Sequence, residues 1–332
     1  MFAMRRRDVI RLLGGAALSW PAAARAQQVG RIRRIGVLAG SSESPRARSF
    51  TAALLQGMET FGWHEDQNIR IDIRWVGGSD PGRMQTEIVD LIARKPEVIV
   101  TGHSVAIAQL LRTASIPIVF AGITDPVSQG FVKSLARPQS NATGFAAYEA
   151  SLGGKWIETL KELWPNLRRA GVLYEPTTAP YMPGILQSIT TAAPVFGVEV
   201  VDVQVRDVSD LDSVVAMLGQ QPNTGMIVPP ALFVQTHTAL LTALTAKNRL
   251  PTIYAFRSVV AAGGLICYGP DVDELWNKAA GYVDRILRGA KPGDLPVQAP
   301  TRFELAINLK TARTLGLDVP PTLLARADEV IE

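Results

Sequence analysis

The sequence predicts an α/β protein made of two similar, doubly wound lobes in tandem, and two observations carry that prediction. From Arg33 onward, short β-branched runs alternate with apolar stripes at helical spacing. The rhythm then restarts after Asn141–Phe145, where Ala170-Gly171-Val172-Leu173-Tyr174 echoes Ile35-Gly36-Val37-Leu38-Ala39. A length of 332 residues suits about two domains of ordinary size.

In the first half, Ile35–Leu38 reads as a strand. Ser44-Pro45 then signals a helix start, and Phe50, Leu54, Met58 and Phe61 fall on one helical face before Gly62 closes it. Ile69, Ile71, Ile73 and Trp75 alternate as a half-exposed strand. Ser79-Asp80-Pro81 opens a helix with Met84, Ile88 and Leu91 on one side. Val98–Val100 leads into a helix from about Ser104 to Ala114, and Ile116–Phe120 is the next strand. Runs of this kind with helices between them form a parallel layer. In the second half, Asn141–Phe145 reads as a crossing strand, and a helix from Ser151 carries Leu152, Trp156, Leu160 and Leu163. Strands follow at Ala170–Tyr174, Val198–Val205, Met226–Val228 and Thr252–Tyr254, with helices near 182–196, 209–219 and 234–247 between them. Gly264–Tyr268 is a further strand, and a helix from Asp271 through Leu275, Ala279, Tyr282 and Ile286 ends at Gly289. The Pro-rich tail from Pro292, with a short helix near 308–315, is too sparse in apolar stripes for a third core. Trp156, Trp164 and Trp276 fall at helical spacing and read as core.

Composition narrows the function classes. The formal charge is +4, yet residues 1–26 hold five arginines against Asp8, and the remainder carries 29 basic and 29 acidic residues. A neutral body lacks the concentrated basic face that nucleic acid requires, so no nucleic-acid partner is expected. One cysteine, Cys267, excludes an internal disulfide and a multi-cysteine zinc site, and His64, His103 and His237 are too dispersed for a local metal motif. Arg5-Arg6-Arg7 is a basic n-region, Leu12–Trp20 a short apolar stretch, and Ala24-Arg25-Ala26 a small-x-small cleavage pattern. They predict export with cleavage after Ala26, and Arg6-Arg7 followed by apolar residues resembles a twin-arginine signal. The apolar run falls short of a membrane span, and no cysteine near Ala26 would take a lipid. A soluble periplasmic protein is the expectation.

An ordered set of segments then carries a resemblance. Arg34-Ile35-Gly36-Val37-Leu38 is followed by Ile116-Pro117-Ile118-Val119-Phe120, Asp125-Pro126-Val127 and Leu250-Pro251-Thr252-Ile253-Tyr254. Next come Ala262-Gly263-Gly264-Leu265, Tyr268-Gly269-Pro270-Asp271, Pro300–Leu305 and Ala325–Ile331. Together they resemble the ABC-transporter substrate-binding proteins related to tryptophan-uptake binding proteins. The resemblance implies a type I periplasmic binding fold, two Rossmann-like lobes with parallel sheets joined by a hinge of three crossing strands. It also implies a small-molecule ligand, an ABC permease with its ATPase as partners, a monomer, and neither catalytic residue, metal nor cofactor. Residues 31–145 plus about 263–290 would make the first lobe, and 146–262 plus about 291–332 the second. The hinge is expected at Thr143–Ala147, Ala261–Gly264 and Gly289–Gly293, where small residues absorb dihedral change.

Parallel sheets bind ligands beyond the carboxyl ends of their strands, which selects the loops that follow them. Those loops offer Ser41 and Ser42, then His103 and Ser104 where a helix begins, then Thr124 and Asp125. Ser104 with the helix N–H groups suits a carboxylate, and the alternative is a plain N-cap. Asp125 suits a ligand amine or a turn cap. The second lobe offers Tyr174 and Glu175, Pro230 and Ala231, Tyr254 and Phe256, and Tyr268 near the crossing. Aromatic groups at strand ends suit an apolar or aromatic ligand body, and Glu175 is a second amine partner. An amino acid or small aromatic or apolar organic acid is therefore expected, with a sugar as the competing class. A rival reading takes Gly102-His103-Ser104-Val105-Ala106 as a hydrolase elbow, with His237 and Asp202 or Asp207. Ala106 replaces the motif's last glycine, and His237 lies within a helical stretch. A repressor would need a helix-turn-helix where the export signal stands, and Leu38-Ala39-Gly40-Ser41-Ser42 lacks the glycine pattern of a nicotinamide site.

Overall fold

The computed structural model describes residues 32–39, 43, 45–75, 81–148 and 151–332. The export signal, Ser41, Ser42, Ser44 and Ser79-Asp80 lie outside the described residues.

Two sheets organise the chain. The first has five parallel strands in the order β2-β1-β3-β4-β5: β1 (Arg33–Ala39), β2 (Ile69–Trp75), β3 (Val98–Thr101), β4 (Ile118–Thr124) and β5 (Ala142–Tyr148). Period-two alternation sends Ile35, Val37, Val98, Val100, Val119 and Ala121 to one face. Leu38, Ile99, Ile118 and Phe120 go to the other. Both faces are covered, so the strands read as unbroken apolar runs. Helices α1 (Pro45–Thr60) and α10 (Val272–Leu287) cover the first face, and α2 (Pro81–Ala93) and α3 (Ser104–Thr113) the second. The α1 and α10 pair is tied by Asn277 Nδ2 donating to the Ala53 carbonyl at 3.1 Å and by Trp63 Nε1 donating to Asp284 at 2.8 Å.

The second sheet has seven strands in the order β12-β11-β10-β9-β8-β6-β7. They are β6 (Arg169–Tyr174), β7 (Glu199–Gln204), β8 (Thr224–Val228), β9 (Thr252–Tyr254), β10 (Ile266–Pro270), β11 (Phe303–Asn308) and β12 (Glu329–Ile331). Only the β10 and β11 pair is antiparallel. Its helices are α4 (Leu152–Leu163), α5 (Met182–Ala192), α6 (Asp210–Gly219), α7 (Leu232–Thr236), α8 (Thr238–Lys247), α9 (Arg257–Ala261), α11 (Leu309–Leu315) and α12 (Pro321–Leu324). The stretch expected as one helix over 234–247 breaks at His237 into α7 and α8. Two strands in the Pro-rich tail, β11 and β12, extend the second sheet instead of standing apart. Among the described residues no helix is long and apolar enough to cross a membrane.

The chain passes between the sheets three times. It leaves β5 at Tyr148 for α4, leaves β10 at Pro270 for α10, and returns from α10 to β11 through residues 288–302. The last passage is stitched to the first sheet, because Thr143 Oγ1 donates to the Leu295 carbonyl at 2.6 Å and Gln298 exchanges backbone bonds with Gly144 and Ala146. These positions correct two sequence expectations. Strand β10 belongs to the second sheet, so the change of lobe falls at Pro270–Val272 and not near 263. The crossings fall beside two of the expected hinge segments, since Thr143–Ala147 lies inside β5 and Ala261–Gly264 runs from the end of α9 toward β10, whereas Gly289–Gly293 lies within the third crossing. Small residues mark a chain that can bend, whereas sheet membership decides where it crosses.

Candidate functional site

Each sheet reverses strand order once, between β1 and β3 in the first and between β6 and β8 in the second. Loops diverge at such a reversal and leave a crevice at the strand carboxyl ends. The two crevices face one another and enclose a cavity of about 310 Å3, within the range of about 300–1,000 Å3 usual for small-molecule sites.

The first lobe contributes three layers. Arg46, Ala47 and Phe50 come from the first turns of α1, Gly102, His103 and Ser104 from the start of α3, and Ala121–Thr124 from the end of β4. A bulge shapes the last segment: the β4 and β5 register shifts on both sides of Ile123, with Gly122 at φ +82°. Gly144 opposes Phe120 so closely that a Cβ would lie 2.0 Å from the Phe120 carbonyl oxygen. Trp276 from α10 completes this wall. Its indole lies over Gly102, where a Cβ would stand 3.2 Å from the ring. Phe50 stacks on Trp276 with centroids 5.5 Å apart and planes at 11°, and the Arg46 guanidinium sits 4.3 Å from the Phe50 centroid. Arg46 Nη1 donates to Asp273 at 2.5 Å, which holds the cation at the wall.

His103 is the extended residue before α3, with its N–H on Thr101 Oγ1 at 3.3 Å and no capping bond from its side chain. Burial pushes its pKa down to about 4, so the imidazole is neutral at pH 7. Ser104 is the first helical residue and not the cap, and it lines the cavity at the first turn of α3, whose leading N–H groups have no partner within the helix.

The second lobe supplies Thr178, Tyr181, Pro230, Ala231, Leu232, Gln235, Thr238, Phe256 and Ser258. Tyr181 donates to the Pro230 carbonyl at 2.5 Å and stands beside Thr124 of the first lobe. Tyr148, at the first crossing, donates to the Ala255 carbonyl at 2.8 Å and meets Phe256 edge-on at 6.0 Å.

Of the residues selected from the sequence, the structure brings His103, Ser104, Thr124, Pro230, Ala231 and Phe256 to the cavity wall. Five described ones it turns elsewhere. Asp125 caps its own turn, accepting from the Ser128 N–H at 3.1 Å. Glu175 is buried and accepts from Thr177 and Thr178. Burial alone would raise its pKa, but those bonds outweigh it and hold the carboxyl below its usual range. Tyr174 leans on Asp202, Tyr254 meets Thr245 Oγ1 at 3.1 Å, and Tyr268 stacks on Phe303 at 5.7 Å. Sequence reasoning misses Arg46, Phe50 and Trp276, which sit in helix turns, Tyr181, which stands at the start of α5, and Tyr148, the last residue of the crossing strand β5. The signal that could have found Trp276 and Phe50 is their position in the opening turns of helices that follow strands.

The hydrolase alternative does not assemble. Ser104 borders the cavity, but His237 Nδ1 lies 2.9 Å from the Phe233 carbonyl and its ring packs on Phe233, away from the wall. Asp207 accepts from its own loop at Ser209, and Asp202 from Gln204.

Comparison with known proteins follows the geometry. A family model described as ABC transporter substrate binding protein matches residues 37–331. A tyrosine-binding protein of Clostridioides difficile (strain R20291) is 26% identical over 275 residues, spanning 83% of this chain and 79% of its own. The ABC domain from Streptococcus pneumoniae in complex with L-Trp superimposes with a TM-score of 0.83 at 25% identity, covering 90% of this chain and 100% of that one. An ABC transporter solute binding protein from Agrobacterium vitis with bound allitol shares the fold at 16% identity and a TM-score of 0.59, with 84% and 96% coverage. The α/β fold with two parallel-dominated sheets is thus that of periplasmic binding proteins, and the chain belongs to the ABC transporter substrate binding protein family.

Proposed function

We propose that this protein is the exported solute-capturing component of an ABC importer, a binding protein and not a catalyst. It takes a small carboxylate with an aromatic or apolar body and delivers it to a membrane permease driven by a cytoplasmic ATPase. The carrying observation is the cavity itself, walled from both lobes by aromatic side chains with a cation and an open helix N-terminus on one side. A site divided between two lobes releases its full binding energy only when they approach, so ligand shifts an open and closed equilibrium. We place moving joints at the crossings Pro270–Val272 and residues 288–302. Relatives that bind tyrosine or hold L-Trp support an aromatic ligand. The basic n-region and Ala24-Arg25-Ala26 support a periplasmic location.

Small-angle scattering and thermal melting with L-tyrosine, L-tryptophan and their amine-free acids test this reading. At least one of these solutes is expected to reduce the radius of gyration and raise the melting temperature by mass action. A panel that changes neither overturns it. Sequencing the N-terminus of the exported chain should begin at Gln27, and a retained Met1 in a cytoplasmic product would contradict export.

A further inference from the structure

Gly102 stands between the end of β3 and the start of α3, and its backbone lies outside the left-handed region, so local geometry would accept a side chain there. Gly122 in the same wall differs, since φ +82° makes glycine a backbone requirement. What position 102 lacks is room. A Cβ would stand 3.0 Å from the Ala121 carbonyl oxygen, 3.2 Å from Trp276 Cζ2 and 3.6 Å from Trp276 Nε1. Ala121 belongs to β4, which is paired on both sides by β3 and β5, so the sheet holds its carbonyl in place.

The indole has little freedom to retreat. At the residue after Trp276, α10 presses on α1: a Cβ on Gly57 would lie 2.4 Å from the Asn277 carbonyl oxygen and 2.8 Å from Ala280 Cβ. Asn277 Nδ2 also donates to the Ala53 carbonyl at 3.1 Å, and Phe50 stacks on the indole face. A methyl group at 102 therefore either fills the gap between strand end and indole or displaces the indole within the wall. Gly102, Phe50 and Trp276 all line the cavity, so both outcomes reshape its first-lobe side. One methylene in a fitted apolar pocket changes affinity by about 10–200-fold, and the ligand that fills the pocket most completely feels it most.

We infer that Gly102 is a specificity-determining position, whose missing side chain seats the Trp276 indole and gives the cavity the depth to take a two-ring aromatic ligand. The inference rests on the proposed reading of the cavity as the site for an aromatic body. Gly102 acts through Trp276 and is a positioning residue. A methyl group added there narrows the site toward one-ring ligands.

Titration calorimetry on the mature chain tests it with pairs that share a tail and differ in ring: L-tryptophan against L-phenylalanine, and indole-3-propionate against 3-phenylpropionate. In Gly102→Ala, the two-ring member of the tighter-binding pair is expected to lose about tenfold or more in affinity and the one-ring member less than about threefold. Equal losses, no loss, or a parent chain that binds one-ring members alone would overturn the inference and leave the cavity's role as a ligand site standing. Failure of every member to bind the parent chain, with an unchanged radius of gyration, overturns that role and the inference together. A second arm needs no ligand. In a Trp276→Phe background, which lacks the Cζ2 and Nε1 atoms that the methyl group meets, Gly102→Ala is expected to lower the melting temperature less than it does in the parent, because contacting residues are not additive. Equal drops in the two backgrounds would separate Gly102 from the indole and overturn the assignment.

Discussion

The first lobe meets the cavity with Arg46, neutral His103, the α3 N-terminus and the Phe50 and Trp276 stack. The second meets it with Tyr181, Phe256, Gln235 and hydroxyls carried largely on short helices and their connecting turns. Among the described lining residues, charge and long helices are thus concentrated on one side and neutral groups on the other. The difference teaches an order of events in the proposed cycle: the first lobe anchors the ligand's carboxylate and ring, and the second closes over what is already held.

The comparison breaks hardest at Trp276, which is 2% exposed and serves both as cavity wall and as core of the first lobe. Trp276→Ala is expected to remove about 3–5 kcal/mol of stability, read as a lower denaturant midpoint. A variant that kept its midpoint and lost only ligand would show that the first wall is independent of the core.

His103 sharpens the comparison through pH. The folded state holds its pKa at about 4, below the ordinary 6.5, so the unfolded chain binds the proton more readily. Its contribution is complete above about pH 6.5 and is lost as pH falls toward 4, up to about 3 kcal/mol in all. In His103→Asn, the acid limb of a stability profile should flatten over that window. An unchanged profile would mean the imidazole is hydrated in solution.

Anchoring and closing separate in the next pair. Arg46→Gln and Ser104→Ala should each weaken a carboxylate ligand by about 1.5–3 kcal/mol, the cost of a lost charge-assisted hydrogen bond. The pair of Arg46 with Asp273 is partly exposed, so losing it should change the unliganded melting temperature little. Tyr181→Phe removes the hydroxyl that reaches Pro230 and stands beside Thr124. It should cost about 0.5–1.5 kcal/mol of affinity and appear as faster ligand release, since it acts on closure. If Tyr181→Phe outweighed Arg46→Gln, the anchoring role would belong to the second lobe.

How much of this was legible depends on which physical signal each part leaves in the chain. Strands buried on both faces leave apolar runs, so β1, β3, β4 and β6 could be read directly, and the repeat of Gly-Val-Leu at 36–38 and 171–173 exposed the two-lobe plan. Strand β11, by contrast, is paired antiparallel through a long passage from another lobe, and nothing local announces that partner. The rule that ligands meet strand ends led to His103, Ser104, Thr124, Pro230, Ala231 and Phe256. The same rule also swept in Tyr174, Glu175 and Tyr254, because strand-end residues divide between cavity and core according to direction, which the sequence does not record. Trp276 shows the converse. Its helical spacing identified a core residue, and only the approach of α10 to Gly102 makes the same indole a wall.

Mass spectrometry of the small molecule that co-purifies with the exported protein, released by unfolding, tests the central claim most directly. The account expects one aromatic carboxylate at up to one per chain, with the same compound lost from Arg46→Gln. A carbohydrate or a cationic solute held at that stoichiometry would contradict it.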